Sequence, residues 1–317
     1  MSDNLATSAQ HHPMPGKTKR SYLGQKAHEL YQARLGIIFL IPAFSLIIIF
    51  IAYPLLRSLY LSLFEWNGIT HPEFVGLENF KYLLQDASFL NALENTIVLA
   101  VTTTAGIVGV GFLLAVAIER RVRGWALFKF VYFLPVMLSL TVVGMLWGEL
   151  LDPTYGAVNV FLKFLGMEKP PVWLGDPNLA LYAIIGITIW QYTGFAMIVL
   201  LAAMENIPPD IHDAATIDGV GSWGRITHII LPLVKPVLAV LVMLQLIFSM
   251  KVFDIVWVMT RGGPGEATSV LGVYLYKNAF VYTHFGYSSA IAVVMTVIIF
   301  TLSMVYQHFI DPEAIEF

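Results

Sequence analysis

Apolar and polar residues follow one another along this chain in long blocks. Six apolar runs, near Leu35 to Leu63, Ala92 to Ile118, Phe130 to Leu151, Leu179 to Met204, Val237 to Met259 and Ser288 to Tyr306, are long enough to cross a hydrocarbon layer of roughly 30 Å, which takes about 20 helical residues. Backbone N–H and C=O groups find no partner in lipid, so such runs fold as helices that satisfy them internally. The pattern predicts an all-α, polytopic membrane protein with six transmembrane helices. Pro42 and Pro54 lie in the first run, which predicts a kinked or tilted helix whose freed carbonyls are satisfied by neighbours. A polar stretch precedes this run and no small-residue cleavage site follows it, so it reads as an uncleaved anchor.

The polar blocks divide the chain further. Residues 1–34 form an N-terminal tail, 35–90 the first span with its outward segment, 91–309 a five-helix core with a polar loop at about 205–236, and 310–317 a C-terminal tail. Three segments, Glu65 to Asn91, Asp152 to Asn178 and Thr260 to Tyr287, carry Pro, Gly and aromatic residues and are expected to fold back on the membrane surface. Trp66, Trp173 and Tyr282 read as interfacial anchors. Gly106, Gly109 and Gly111, and Gly186 with Gly194, read as sites of close helix packing.

Composition agrees with the pattern. With 57% hydrophobic and 12% charged residues and a mean hydropathy of +0.73, the chain could not cover a soluble surface with polar groups. The absence of cysteine excludes disulfides, thiolate metal sites and a cysteine nucleophile. Charge informs through its distribution. Lys17, Lys19, Arg20, Lys26, Arg34, Arg120, Arg121, Arg123, Lys129, Arg225 and Lys235 fall on one side of the six spans, against Arg57, Lys81, Lys163, Lys169, Arg261 and Lys277 on the other. The positive-inside rule then places both termini and the loop at 205–236 in the cytoplasm.

That loop, ENIPPDIHDAATIDGVGSWGRITHIILPLVKP, is a built polar island between two apolar spans. Pro208, Pro209 and Asp210 preset a helix start, where a missing N–H costs nothing and an acidic group meets the positive dipole end. Ile211, Ala214 and Ala215 share one face at helical spacing, and the two alanines let another protein's surface come close to the backbone. Asp213 stands at the edge of that face, within reach of a basic group. Gly219 follows Asp218 where a helix closes with a left-handed residue. Ser222 reads as the N-cap of a second helix through Trp223 and Ile226, and Leu231, Pro232 and Pro236 are expected to bend it into the fifth span. The whole predicts a docking surface for a cytosolic partner.

The stretch DAATIDG, with ILPLVKP downstream, resembles the EAA loop of inner-membrane permease subunits in binding-protein-dependent ABC importers. MKVFDIVWVMTRGGPGEAT, WQYTGFAMIVLLAAMENIPPDIHDAA, YPLLRSLYLSLFEW and VGLENFKYLL are similar to its carbohydrate-uptake branch, which includes maltose, multiple-sugar and glycerol-phosphate permeases. The resemblance covers about residues 35 to 309. It implies a type I ABC importer permease fold in a bacterial or archaeal cytoplasmic membrane. It further implies a coupling helix, carried by Ile211, Asp213, Ala214, Ala215, Asp218 and Gly219, seated on one of two cytosolic ATPase subunits. The implied partners are a second, non-identical permease and an extracytoplasmic solute-binding protein that delivers a sugar or oligosaccharide. The chain would be a non-catalytic subunit in lipid, with no nucleic-acid contact and no cofactor of its own, ATP and Mg being held by the ATPases. One departure is Asp213, where the family has a glutamate: the charge is kept and its reach shortened.

The chain's own chemistry is consistent with this. No GxxxxGK[ST] loop occurs, so no ATP site is present in it. Glu149, Gln191, Tyr192, Thr193, Gln245, Lys251 and Asp254 are expensive in hydrocarbon and are expected to face protein or water. Lys251 and Asp254, three apart, read either as a structural ion pair or as a gating and solute contact. Trp190, Gln191, Tyr192, Gln245, Phe253, Asp254 and Trp257 are the candidate solute pathway. In it the rings, with Trp147, serve either as core or as faces on which sugars stack, and Gln191 with Tyr192 is the leading pair. An ion-coupled secondary transporter would show inverted repeats, and no comparable halves occur. An intramembrane enzyme would need a mid-depth constellation, whereas the eight histidines lie in tails, loops or span edges, and no metal site is expected. Within the importer class, glycerol phosphate or a polyol remains the alternative solute.

Overall fold

The computed structural model describes residues 40–119 and 124–309. The expected terminal tails and Arg120, Arg121 and Arg123 lie outside the described residues. Packing divides the chain into two units, residues 1–57 and 58–317. The first contains most of helix α1, Leu40–Leu61. Its residues Ile48–Ala52 form a π turn just ahead of Pro54. Proline lacks an N–H and crowds the carbonyl four residues back, and one wider turn absorbs both effects.

In the second unit a two-stranded ribbon, β1 (Phe64–Glu65) with β2 (Glu73–Phe74), pairs Phe64 with Phe74 and Glu65 with Glu73. Helix α2, Glu78–Gln85, leads into α3, Ala87–Glu119. Next come α4, Trp125–Met137, and α5, Leu140–Leu150, which meet at 99°. The third span is therefore broken, where the apolar run predicted one continuous helix. The local sequence explains the break: Pro135 sits in a 3-10 turn, Leu138 and Ser139 are extended, and Ser139 Oγ caps α5 by accepting from the Val142 N–H at 3.3 Å. The carbonyl freed at Leu138 accepts from Gln191 Nε2 at 3.1 Å.

Helix α6, Ala157–Phe164, precedes the fourth span, α7, Ala180–Glu205. The loop helix α8, Pro209–Ile217, follows, and then α9, which runs from Ser222 to Met250. The second helix of the polar loop and the fifth span are thus one helix. A π turn at Ile226–Ile230 prepares the chain for Pro232, and Pro236 is carried inside, so the expected bend is replaced by a local widening. Helix α9 ends at Met250, and a short helix α10, Asp254–Met259, starts after three non-helical residues. Helix α11, Leu271–Tyr276, continues through a π turn to Val281, and α12, Phe285–Phe309, is the last span. Among the described residues five helices are long and apolar enough to cross a membrane, or six if α4 with α5 is one span.

The most extensive helix pairing is α3 with α7. Ile107, Ala115, Met197 and Leu200 are buried there beside Ile230 and Leu241 of α9. In lipid, helices associate through close packing rather than expulsion of water, so small residues set the separation. A Cβ on Gly194 would lie 2.0 Å from the Tyr132 carbonyl oxygen, and one on Gly111 2.8 Å from the Ala196 Cβ. Gly106 abuts Ile189 in the same way, whereas Gly109 and Gly186 face open space and are not packing positions. At the end remote from α8, side-chain amides tie the connecting segments to the spans. Asn79 Nδ2 donates to the Ser62 and Phe64 carbonyls at 2.9 and 3.0 Å, Asn91 Nδ2 to Glu266 at 2.9 Å, and Asn95 Nδ2 to Ser269 at 3.0 Å.

Candidate functional site

Two features stand out, one at a helix end and one among the spans. The first is the loop after α7. Helix α8 starts at Pro209, with Pro208 extended before it and Asp210 in the first turn. It closes with the Val220 N–H donating to Ala215 O at 3.0 Å and the Gly219 N–H to Thr216 O at 3.2 Å, while Gly219 takes a φ of +70°. These two bonds across a left-handed glycine are the Schellman arrangement, as the sequence predicts for Asp218 and Gly219.

The exposed face differs from the predicted one. Ala215 is buried against its own chain, so it cannot offer its backbone to a partner. Successive residues on a helix point about 100° apart, and Ala214, Asp213 and Asp218 stay exposed. Ile217, 85% exposed, Trp223, 75%, and Val220 form the apolar surface, with Ile211 at the margin. Sequence reasoning did not count Ile217 and Trp223 as contact residues, although two large apolar side chains flanking the Gly219 turn were the available signal. Gly221 rather than Ser222 occupies the N-cap position of α9, extended and without a side-chain cap bond.

A partly buried ion pair anchors the loop. Arg225 Nη2 donates to Glu119 Oε1, the last residue of α3, at 2.8 Å, and His212 Nε2 lies 4.0 Å from the same oxygen. Arg225 of α9 and His212 of α8 thus converge on one carboxylate at the end of α3.

The second feature is a cavity of about 500 Å³ bordered by α3, α4, α5, α7, α9 and the break at 251–253. Tyr192, Gln245, Lys251, Phe253 and Asp254 line it. The Thr188 hydroxyl is spent on the Ile184 carbonyl, and Ser249 on Thr103. The Tyr192 hydroxyl, the Gln245 amide and the Asp254 carboxylate have no hydrogen-bond partner among the described residues. Lys251 and Asp254 do not pair: the helix stops between them, and Lys251 Nζ lies 5.7 Å from the centroid of the Phe248 ring. The spacing of three carried weight only in a continuous helix.

Three predicted pathway residues lie elsewhere. Gln191 is buried and bonded to Leu138. Trp190 meets Trp147 edge-on at 5.5 Å, and Trp257 packs on Phe253 and Tyr276 at 5.7 and 4.7 Å. Glu149 accepts from the Tyr155 hydroxyl at 3.0 Å, outside the cavity. Among the described residues no group of three His, Asp or Glu is placed to hold a metal ion.

The family of binding-protein-dependent transport system inner membrane components matches residues 107–315. The chain belongs to this family. Among relatives of this inner-membrane component, a probable ABC transporter permease of Pyrococcus horikoshii is 38% identical over 275 residues, 86% of this chain and 94% of that one. The sulfoquinovosyl glycerol transport system permease of Agrobacterium fabrum is 32% identical over 88% of this chain and 91% of its own. The trehalose/maltose transport system permease of Thermococcus litoralis is 30% identical over 87% and 93%. A bacterial alginate ABC transporter, solved in complex with an alginate pentasaccharide-bound periplasmic protein, superposes with a TM-score of 0.79 at 24% identity, covering 89% of this chain and 95% of that one. The inner-membrane component therefore has the type I permease fold that the resemblance implies.

Proposed function

We propose that this chain is the pore-forming permease subunit of an ATP-driven importer for a sugar or oligosaccharide, with the α8 loop and both termini in the cytoplasm. The observation that carries this reading is the knuckle at α8. A Schellman turn at Gly219 presents Ile217, Val220 and Trp223 outward, and Glu119 holds its base through Arg225. A rigid apolar knob fits a groove on a cytosolic ATPase, two copies of which would bind ATP and Mg and drive the cycle. Closure of the ATPases would move the knob, and α9, continuous with it, would carry that motion to Gln245 in the cavity wall.

A second, non-identical permease would complete the cavity, and an extracytoplasmic binding protein would supply the solute. The relatives named for trehalose/maltose and sulfoquinovosyl glycerol support a saccharide. So does the cavity, where an amide, a phenol and a carboxylate stand unspent beside the Phe253 ring. For glycerol phosphate, Lys251 is the one cation in the lining among the described residues, and Asp254 offsets it, which favours a neutral solute.

Because the chain has no cysteine, Ile217→Cys gives a unique thiol. In membranes carrying the assembled importer, we expect it to cross-link to the ATPase subunit with a yield that changes on adding ATP. Labelling of this thiol by a membrane-impermeant maleimide added outside intact cells, without any cross-link, would overturn the reading.

A further inference from the structure

A second cavity, of about 470 Å³, opens at the end remote from α8, between the β1–β2 ribbon, α2, α11 and the start of α12. Its volume is in the range of small-molecule sites. Most of its amides are already committed: Asn67 to the turn at Ile69 and Thr70, Asn79 to Ser62 and Phe64, and Asn278 to Tyr274. What remains is specific. Glu65 and Glu73, directly opposite on the ribbon, and His71 have no side-chain partner among the described residues, and all three line the cavity. Like charges opposed across a strand pair are unfavourable without a third group between or beside them.

The floor is aromatic. Tyr274 and Tyr287 both donate to Asp86 Oδ2, Tyr287 at 2.6 Å, which fixes their rings. Tyr82 meets Tyr287 edge-on at 5.2 Å and is 62% exposed, so a face of its ring is open to a ligand. Among the described residues no Lys or Arg lines this cavity, which disfavours phosphates and acidic sugars. Free carboxylates that accept from hydroxyls, next to an open ring face that takes the apolar side of a pyranose, are the chemistry of a neutral saccharide site.

One further observation ties this cavity to the one among the spans. Trp66, in the wall of the remote cavity, contacts Phe285 at 5.7 Å; Phe285 contacts Phe280 at 6.0 Å, Phe280 contacts Tyr276 at 5.1 Å, and Tyr276 contacts Phe253 at 5.1 Å. Phe253 lines the span cavity. Four ring contacts among five rings, without a gap, run from one cavity to the other. Phe280 is 63% exposed, so the row is not sealed inside the chain.

We propose that the remote cavity is a loading subsite for a neutral saccharide, and that this row of rings is the track along which the saccharide passes to Tyr192 and Gln245. The proposal rests on the importer reading above and adds a second solute site to it. Ile69, 90% exposed and beside the ribbon but outside the cavity lining, is the place for a spin label on an introduced cysteine. The full chain, in nanodiscs with its partner subunits, is titrated with maltotriose, lactose and trehalose as neutral probes and with trigalacturonate as an anionic one. We expect label-dependent broadening of at least one neutral probe and none of trigalacturonate. Tyr82→Ala with Glu73→Gln should weaken the broadened probe's binding by about tenfold, the scale of a lost charged hydrogen bond, and broadening should persist in Tyr192→Ala with Gln245→Ala. Uptake of a neutral saccharide without broadening, broadening unchanged by the Tyr82 and Glu73 substitutions, or broadening by trigalacturonate would each overturn the subsite while leaving the importer reading intact. Absence of uptake for every saccharide would remove that reading itself, and the subsite with it.

Discussion

Gly219 shows how much one residue can decide. Its φ of +70° lies where a side chain costs about 1–2 kcal/mol, yet a Cβ built there meets nothing within 4 Å. Strain and space therefore separate cleanly. Gly219→Asn should retain most uptake, because asparagine tolerates the left-handed region, whereas Gly219→Val should leave insertion and expression near normal and uncouple ATP hydrolysis from uptake. Parallel ATPase and uptake assays on proteoliposomes check this, and full transport by the valine variant would contradict the turn. Asp86 is the second such residue. Burial acts to raise its carboxyl, and the hydroxyls of Tyr274 and Tyr287 with the N–H groups of Ser88 and Phe89 outweigh it, so the carboxyl lies below its ordinary value of 3.8. A depressed folded value means stability that is complete above the unfolded one and lost as the pH falls through the folded one. The wild type should thus melt higher than Asp86→Asn at pH 7, and the difference should close only below about pH 4, as thermal unfolding at a series of pH values would show.

At the scale of elements, the link between α3, α8 and α9 depends on Glu119. Breaking an ion pair of this partial exposure costs about 1–3 kcal/mol, between the surface and buried cases. Glu119→Arg should lower both the melting temperature and uptake, and adding Arg225→Glu should restore uptake, since the pair is remade with reversed sign. Failure of the double variant to recover, with melting restored, would show that the pair braces the fold without transmitting motion. The elements themselves were legible in the sequence to different degrees. The fourth span, expected from Leu179 to Met204, is Ala180–Glu205, because a long apolar run bounded by Pro208 leaves little freedom. The third was misread as continuous because hydropathy is blind to Leu138 and Ser139, apolar or small residues whose extended backbone breaks the helix. Gln191 and Tyr192 read as the leading solute pair with Trp190 beside them, but 100° steps send only Tyr192 into the cavity. Facing direction depends on which helix packs where, and a single sequence does not state that. The same limit hid the burial of Ala215 and the break that separates Lys251 from Asp254.

For the molecule as a whole, helix α3 has the widest reach. Its 33 residues make a rod of about 50 Å. At one tip Glu119 grips Arg225. Near the other, Asn91 and Asn95 hold the backbone at Glu266 and Ser269, and Thr96 Oγ1 accepts from the Leu271 N–H at 2.9 Å. The side facing α7 is filled by Ile107, Gly111 and Ala115, so the rod is seated near its middle. In the importer proposed above, a beam held at both tips and seated at its centre would act as a see-saw, an inward push on the Glu119 tip swinging the Asn91 tip the opposite way. In that importer, alternate opening of the two mouths of the pathway would then need no separate signal, because one beam would not admit both at once.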